Sequence, residues 1–345
     1  MIVEQANGKY TDFRIPGIVA TERGTLLRYC ECRKTQSDWA EIDIEVKRSE
    51  DNGERWTTVL LIEGKGGTLN NPVMFVDGER LVFLYCKNYK EIWKCVSFDD
   101  GKSFKDAERV NFEQGVGFSY SVVALGPGHG IVHQGRLIVP MWFAYNQDDS
   151  KKHYPSFAST FYSDDHGMSW RVGELIYPDR LINASEGALA VMSDGSVLLS
   201  LRHDGAEKTR ALAKSRNGIS EWHDLRLDDK MHDPTCMGSM THRNGTVYHV
   251  NCDSQNGRKN LTLKVSENGF ESFRKMHISD LGGYSDIAVL GDKLFVLYEK
   301  TVVNNLNKWD PFCLYFEAII IIKSNYRKQR RTNGVYWRST VCEKG

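Results

Sequence analysis

Residues 10–56 read YTDFRIPGIVATERGTLLRYCECRKTQSDWAEIDIEVKRSEDNGERW, and they hold the unit from which the rest of the chain is built. An arginine stands fixed ahead of a proline in Phe13-Arg14-Ile15-Pro16. Two apolar, strand-like runs flank a turn at Gly24, and a loop with a lone acid, Asp38, follows. The stretch closes with an octet, Ser-x-Asp-x-Gly-x-x-Trp, from Ser49 to Trp56. Such an octet suits a tight hairpin. The Asp side chain caps backbone N–H groups, Gly takes a positive φ, and the closing aromatic packs back over the turn.

Both halves of the unit recur. A Gly-centred turn followed by an apolar run stands at Gly24, Gly78, Gly135, Gly195, Gly245 and Gly291, with neighbours 46 to 60 residues apart. Clear octets begin at Ser49, Ser97 (SFDDGKSF) and Ser163 (SDDHGMSW). Worn ones begin at Ser215 (SRNGISEW) and Ser266 (SENGFESF), where Asn replaces Asp and Gly comes one place early. Long helical periodicity is absent. Four short strands per roughly 50 residues, repeated six times, predict an all-β fold, a six-bladed β-propeller. Two β-sandwich domains would not explain why both turn types recur in step.

The repeat also assigns each loop to a rim. Gly turns join strands one and two of a blade and octets join strands three and four, so both belong to one rim. Blade-to-blade segments and two-to-three loops belong to the other. The blade-to-blade segments supply Arg14, Asn71, Glu186 (NASEGAL) and Tyr284 (GGYSDIAVL). The two-to-three loops supply Arg33, Asp38, Trp142, Arg202, Arg258 and Glu299. Each alone has an ordinary reading, a solvated charge or a core ring; together they converge. Arg14, Arg202 and Arg258 near one axis would repel unless an anion sat between them. A carboxylate fits, gripped by paired, charge-assisted hydrogen bonds of ~1.5–3 kcal/mol each. Glu299 would orient one of these guanidiniums.

Bulk composition sets the outer limits. The 345 residues are 41% hydrophobic and 26% charged, with 45 basic and 45 acidic side chains. That describes an ordinary globule with ample core, and its zero formal charge provides no global field for nucleic acid or an anionic membrane. Ala318 to Ile322, the longest aliphatic run, is too short to span a bilayer. The eight cysteines include one Cys30-x-Cys32 pair and no CxxC, which favours buried thiols over disulfides or zinc. Neither a metal nor a cofactor is expected. Of the acidic pairs Asp99/Asp100, Asp148/Asp149 and Asp164/Asp165, two fall in octets on the wrong rim, and His129 and His133 read as structural. No signal sequence is legible, so a cytoplasmic protein is the default expectation, or a secreted or periplasmic one if a leader was removed.

The FRIP motif, the Asp-box octets, Glu186 ahead of the Arg202 strand, the Arg258 context and the Tyr284-to-Glu299 segment resemble the bacterial exo-sialidase (neuraminidase) family. The likeness runs from about residue 10 to about residue 317. It implies a propeller that removes terminal α-linked sialic acids from sialylated oligosaccharides or glycoproteins with retention of anomeric configuration. On that resemblance Arg14, Arg202 and Arg258 bind the sialic acid carboxylate. Tyr284 is the nucleophile, Glu186 its base partner and Asp38 the acid/base; Glu299 steadies Arg14. Arg33 contacts the sugar near its 4-hydroxyl, and Asn71 and Trp142 fall near glycan-contacting positions.

Elementary chemistry accounts for those residue types. An attacking carboxylate would meet the substrate's own carboxylate at about 5 Å, a repulsion of roughly 3 kcal/mol at an effective dielectric near 20. A neutral phenol avoids it, and needs a base because its ordinary pKa is about 10. A trans-sialidase, passing the sugar to another hydroxyl or to the sialic acid's own, shares this chemistry. A non-catalytic glycan-binding propeller would need the three Arg residues but neither Tyr284 nor Asp38. Linkage preference, sugar variant and oligomeric state are not written in the sequence. The propeller is expected over residues 1–323, with its last strand at Leu314 to Ile322. Residues 324–345, with the run YRKQRR, form a basic tail that matches nothing in the family.

Overall fold

The computed structural model describes residues 1–113, 117–146, 148–301, 311–324 and 334–338, and every regular element among them is a β-strand. The strands form six sheets, one per repeat, in which neighbouring blade strands run antiparallel. Blade one runs Asp12–Ala20, Leu26–Arg33, Ile42–Ser49 and Thr57–Ile62. Blade two runs Leu69–Asp77, Arg80–Lys87, Glu91–Ser97 and Glu108–Val110. Blade four runs Gly187–Val191, Val197–Leu201, Thr209–Ser215 and His223–His232. Blade five runs Ser239–Arg243, Thr246–Cys252, Lys259–Ser266 and Arg274–Leu281.

Two blades depart from this plan. In blade three the innermost strand is split into Val122–Leu125 and Ile131–His133, both paired with Arg136–Ala144; Ser156–Ser163 and Trp170–Val172 follow. The intervening Gly128–His129 crosses to pair in parallel with the first strand of blade two. Blade six contains Ser285–Leu290, Lys293–Thr301 and Phe312–Ser324, and its fourth position is filled by Ile2–Glu4 from the other end of the chain. That strand is held by Arg28 on Glu4 at 2.7 Å. The third strand of blade six is longer at both ends than the expected 314–322, and Gly334–Arg338 pairs with its far end. Of the expected tail, residues 325–333 and 339–345 lie outside the described residues.

Alternating apolar side chains fill the space between neighbouring blades. Phe83 and Tyr85 of blade two meet Tyr29 and Val46 of blade one, and Phe75 and Val82 meet Phe161 and Trp170 of blade three. Equivalent clusters join three to four, four to five, five to six and six back to one. Six interfaces therefore close the ring. Each fully buried Phe, Leu or Val contributes roughly 1.5–3 kcal/mol relative to exposure.

The octets build their turns as the sequence indicates. In the third, Ser163 Oγ accepts from Gly167 N at 2.8 Å and Asp165 Oδ1 from Ser169 N at 2.8 Å, while Trp170 Nε1 donates to Gly167 O at 3.0 Å. Burial raises the Asp165 carboxyl, but the Ser169 and Ser163 donors outweigh it and hold it at about 2. The worn octets keep the device with Asn: Asn268 Oδ1 accepts from Ser272 N at 3.1 Å, and Ser266 Oγ from Phe270 N at 2.9 Å. Gly53 takes φ 88°, and a Cβ there would lie 2.4 Å from the Phe316 ring, so only glycine fits this turn. Gly turns and octets share one rim, which leaves the opposite rim for the chemistry.

Candidate active site

The innermost strands of blades one and two each bulge at the opposite rim, between Arg14 and Gly17 and between Asn70 and Val73. At the bulges Ile15 takes φ 54° and Asn71 φ 51°. For a β-branched residue such as Ile15 this is a strained backbone, of order 1–3 kcal/mol. A bulge re-aims side chains, and here it turns Arg14 toward the axis. Arg14, Arg33, Asn71 and Glu299 lie within strands, not in the connecting loops where the sequence reading put them.

Glu299 anchors the first half of the site. It is fully buried in Lys293–Thr301 and accepts Arg14 Nε and Nη2 at 3.2 Å each, Ile15 N at 2.9 Å and Tyr284 N at 3.2 Å. Arg258 Nη1 stands 3.9 Å from the same carboxylate. Burial pushes this carboxyl up, but Arg14 and Arg258 outweigh it and hold it below its ordinary value. A Cβ at Gly283 would come within 2.7 Å of Glu299 Oε2, so the chain passes close enough to deliver Tyr284 only because that position is glycine.

Tyr284 forms the floor. Its ring lies 5.0 Å from the Arg258 guanidinium carbon and 5.5 Å from that of Arg14. Its hydroxyl donates to Glu186 Oε1 and accepts from Arg202 Nη1 at 2.9 Å. Arg202 Nη1 also donates to Glu186 Oε2 at 2.6 Å. Burial and the Glu186 charge raise the phenol well above its ordinary value, against the opposing pull of Arg202 and Arg258. The two guanidiniums favour phenolate, but burial and the Glu186 charge outweigh them, so the resting group is a neutral phenol. Arg14, Arg202 and Arg258 face Glu186 and Glu299, which formally leaves one positive charge for a monoanionic ligand.

A second cluster stands beside the first. Arg33, 1% exposed, donates Nε and Nη2 to Glu31 Oε2 at 2.8 and 2.5 Å, and Nη1 to Asp38 Oδ1 at 2.7 Å. Glu31 Oε1 accepts from Asn71 N at 2.9 Å. Asp38 is 44% exposed on its loop. Burial raises its carboxyl, but Arg33 and Arg14 outweigh that and lower it below its ordinary value. Arg14, Arg33, Asp38, Asn71, Trp142, Glu186, Arg202, Arg258 and Tyr284 all line one cleft of about 220 Å³.

Trp142 is a correction in kind. It belongs to the strand Arg136–Ala144 and not to a loop, is 4% exposed, and packs edge-on to His153 at 5.4 Å. The Asn71 amide is likewise committed to structure, donating Nδ2 to Leu125 O at 2.9 Å. Sequence reading missed Glu31, although two residues apart on a strand share a face and the Glu-x-Arg spacing was open to view. It also missed the wall of Tyr89 and His153, whose rings stand 4.9 Å apart, and Asp204, which accepts from Asn183 Nδ2 at 2.9 Å. Those three come from three different loops with no shared motif.

The model of the BNR repeat-like domain family matches residues 40–296. The chain belongs to the BNR repeat-like domain family. Its relatives include sialidases. A Bacteroides fragilis sialidase is 26% identical over 341 residues, which cover 85% of this chain and 60% of that protein. The solved Hadza microbial sialidase Hz136 superimposes with a TM-score of 0.76 at 21% identity, over 90% of this chain and 66% of that one. The intramolecular trans-sialidase from Ruminococcus gnavus has a TM-score of 0.73 at 17% identity, over 92% and 96% of the two chains. The chain thus spans about three fifths to two thirds of the first two. These likenesses agree with a six-bladed BNR propeller and do not reach individual side chains.

Proposed function

We propose that this BNR-repeat propeller is an exo-α-sialidase that hydrolyses terminal α-linked sialic acids with retention, through a glycosyl adduct on Tyr284. One observation carries the reading: a buried phenol is hydrogen-bonded to a carboxylate, Glu186, at the centre of three guanidiniums. A binding module has use for the guanidiniums and none for that pair.

Arg14, Arg202 and Arg258 hold the sugar carboxylate, which presents the anomeric carbon to Tyr284. As the Tyr284 oxygen bonds to that carbon its proton passes to Glu186, so the raised phenol is no obstacle. Asp38 gives its proton to the departing glycosidic oxygen. Water then loses a proton to Asp38 and attacks the same carbon, releasing Tyr284, whose oxygen recovers its proton from Glu186. Two inversions give net retention. In the free protein Arg33 and Arg14 keep Asp38 ionised. A bound carboxylate neutralises the pull of Arg14 and lifts Asp38 toward its protonated form. Arg33, Asn71 and Trp142 complete the walls against the sugar's substituents.

The transfer reading requires an acceptor in place of water. Trp142, embedded against His153, offers little surface to stack one, which favours hydrolysis. Incubation with 2,3-difluorosialic acid tests the scheme: its fluoride leaves readily, while the second fluorine slows breakdown of the adduct. The expected result is an intact-mass increase that maps to the peptide bearing Tyr284. An unmodified protein, or an adduct on a carboxylate, would overturn it. Product analysis from a natural sialoside separates free sialic acid from an anhydro or transferred sugar.

A further inference from the structure

Glu31 has no part in the chemistry described above, yet it is fully buried behind the cleft and accepts three hydrogen bonds, two from Arg33 and one from the Asn71 backbone. Its Oε2 takes one edge of the Arg33 guanidinium, Nε and Nη2, while Nη1 donates to Asp38 Oδ1 at 2.7 Å and to the Gln36 carbonyl at 3.3 Å. One guanidinium therefore serves two carboxylates, one sealed in the strand and one on the open loop. We propose that Glu31 is a positioning residue that, through Arg33, sets how readily Asp38 takes and gives its proton. This rests on the acid/base role proposed for Asp38.

The physical argument is a matter of charge. Arg33 is shut off from water, so nothing but its neighbours screens it. Were Asp38 its sole partner, the pair would lock with Asp38 ionised, unable to protonate a leaving oxygen. Glu31 takes up most of the guanidinium's charge and fixes its plane, so that Nη1 alone meets Asp38. The backbone N–H of Asn71 holds the other oxygen of Glu31 and stops it rotating. Burial raises the Glu31 carboxyl while Arg33 and that N–H lower it, and the net result lies above the ordinary carboxylate value. Asp38 lies below its ordinary value. Arg14 from the neighbouring strand and His153 from blade three also act on Asp38, and the Tyr89 hydroxyl from blade two feels the same carboxylate. Glu31 and Arg33 form a fully buried pair behind it.

Glu31→Gln keeps the shape and an acceptor oxygen but removes the charge, and Arg33→Gln removes the guanidinium. Carboxyl-carbon NMR of Asp-labelled protein, with Asp38→Asn for assignment, reads Asp38 without any turnover. Glu31→Gln is expected to lower the Asp38 midpoint by about one pH unit or more, and Arg33→Gln to raise it by a similar amount. On a sialoside, the alkaline limb of the kcat profile is expected to move in the same two directions, with little change in KM for Glu31→Gln. Glu31→Asp, which keeps the charge, is the control should Glu31→Gln fold poorly; its Asp38 midpoint is expected to stay near wild type. An Asp38 midpoint that stays put in Glu31→Gln would overturn the proposal and reduce Glu31 to a scaffold residue. If the midpoint moves and no variant or wild type turns over sialoside, the positioning stands and the sialidase reading fails.

Discussion

At the scale of single residues, the site is a set of paired opposites in which burial and charge compete. Arg258→Ala removes one clamp partner, worth about 1.5–3 kcal/mol for charge-assisted hydrogen bonds. KM for a sialoside is expected to rise roughly ten- to hundredfold, with a smaller change in kcat; an unchanged KM in steady-state kinetics would remove Arg258 from the clamp. Asp38→Asn is expected to spare an aryl sialoside, whose leaving group needs little protonation, far more than a sialylated oligosaccharide. Relative kcat/KM on the two substrates checks this. Glu299 bears on stability. Its folded value is lowered, so its contribution is fully present above the unfolded value of about 4.3 and is lost as pH falls through the folded one. Melting curves of wild type and Glu299→Gln should therefore begin to converge once pH falls below about 4.3. Curves that stay parallel down to pH 3 would show that the carboxylate is not held by its Arg partners.

At the scale of elements, the octets and the bulges divide the labour. Octets fix the far rim. Ser163→Ala leaves the buried Gly167 N–H without its 2.8 Å acceptor, at a cost of about 1–3 kcal/mol. Thermal denaturation should show a fall of a few degrees, with kcat and KM of the folded protein unchanged. A kinetic effect would contradict the separation of rims. Octets, Gly turns and blade order were legible because Gly, Asp and Ser take special roles in turns, and these show in any single copy. The strand Ile2–Glu4 was not, since three residues carry no periodicity; its place is set by the unfilled edge of blade six. The break in blade three was not either: Gly126 to Gly130 reads as an ordinary hairpin, and only the approach of blade two draws Gly128–His129 across. Tyr284 and the Arg residues announced themselves through neighbouring motifs, whereas Glu31 sat unnoticed between two cysteines of an apolar run.

At the scale of the molecule, six apolar interfaces hold six sheets so that their inner strands point at one axis. That is how residues as far apart in sequence as Arg14 and Glu299 become hydrogen-bonded partners. The chain is formally neutral, with 45 charges of each sign, so attraction for an anionic sugar is local to the cleft. Ionic strength should then raise KM for a sialoside modestly and leave kcat nearly constant, because the buried charges are poorly screened once the ligand is seated. A KM indifferent to salt would mean that the guanidiniums are already fully neutralised.

The central claim, a tyrosine nucleophile within an arginine clamp, is tested most directly by one comparison. Release of 4-methylumbelliferone from its α-sialoside is measured for wild type and Tyr284→Phe, with sialic acid binding followed in parallel by calorimetry. The account predicts turnover by wild type, a loss of two or more orders of magnitude in kcat for the variant, and binding retained by both. Undiminished turnover in Tyr284→Phe would contradict it, as would a wild type that binds sialic acid and never releases the fluorophore.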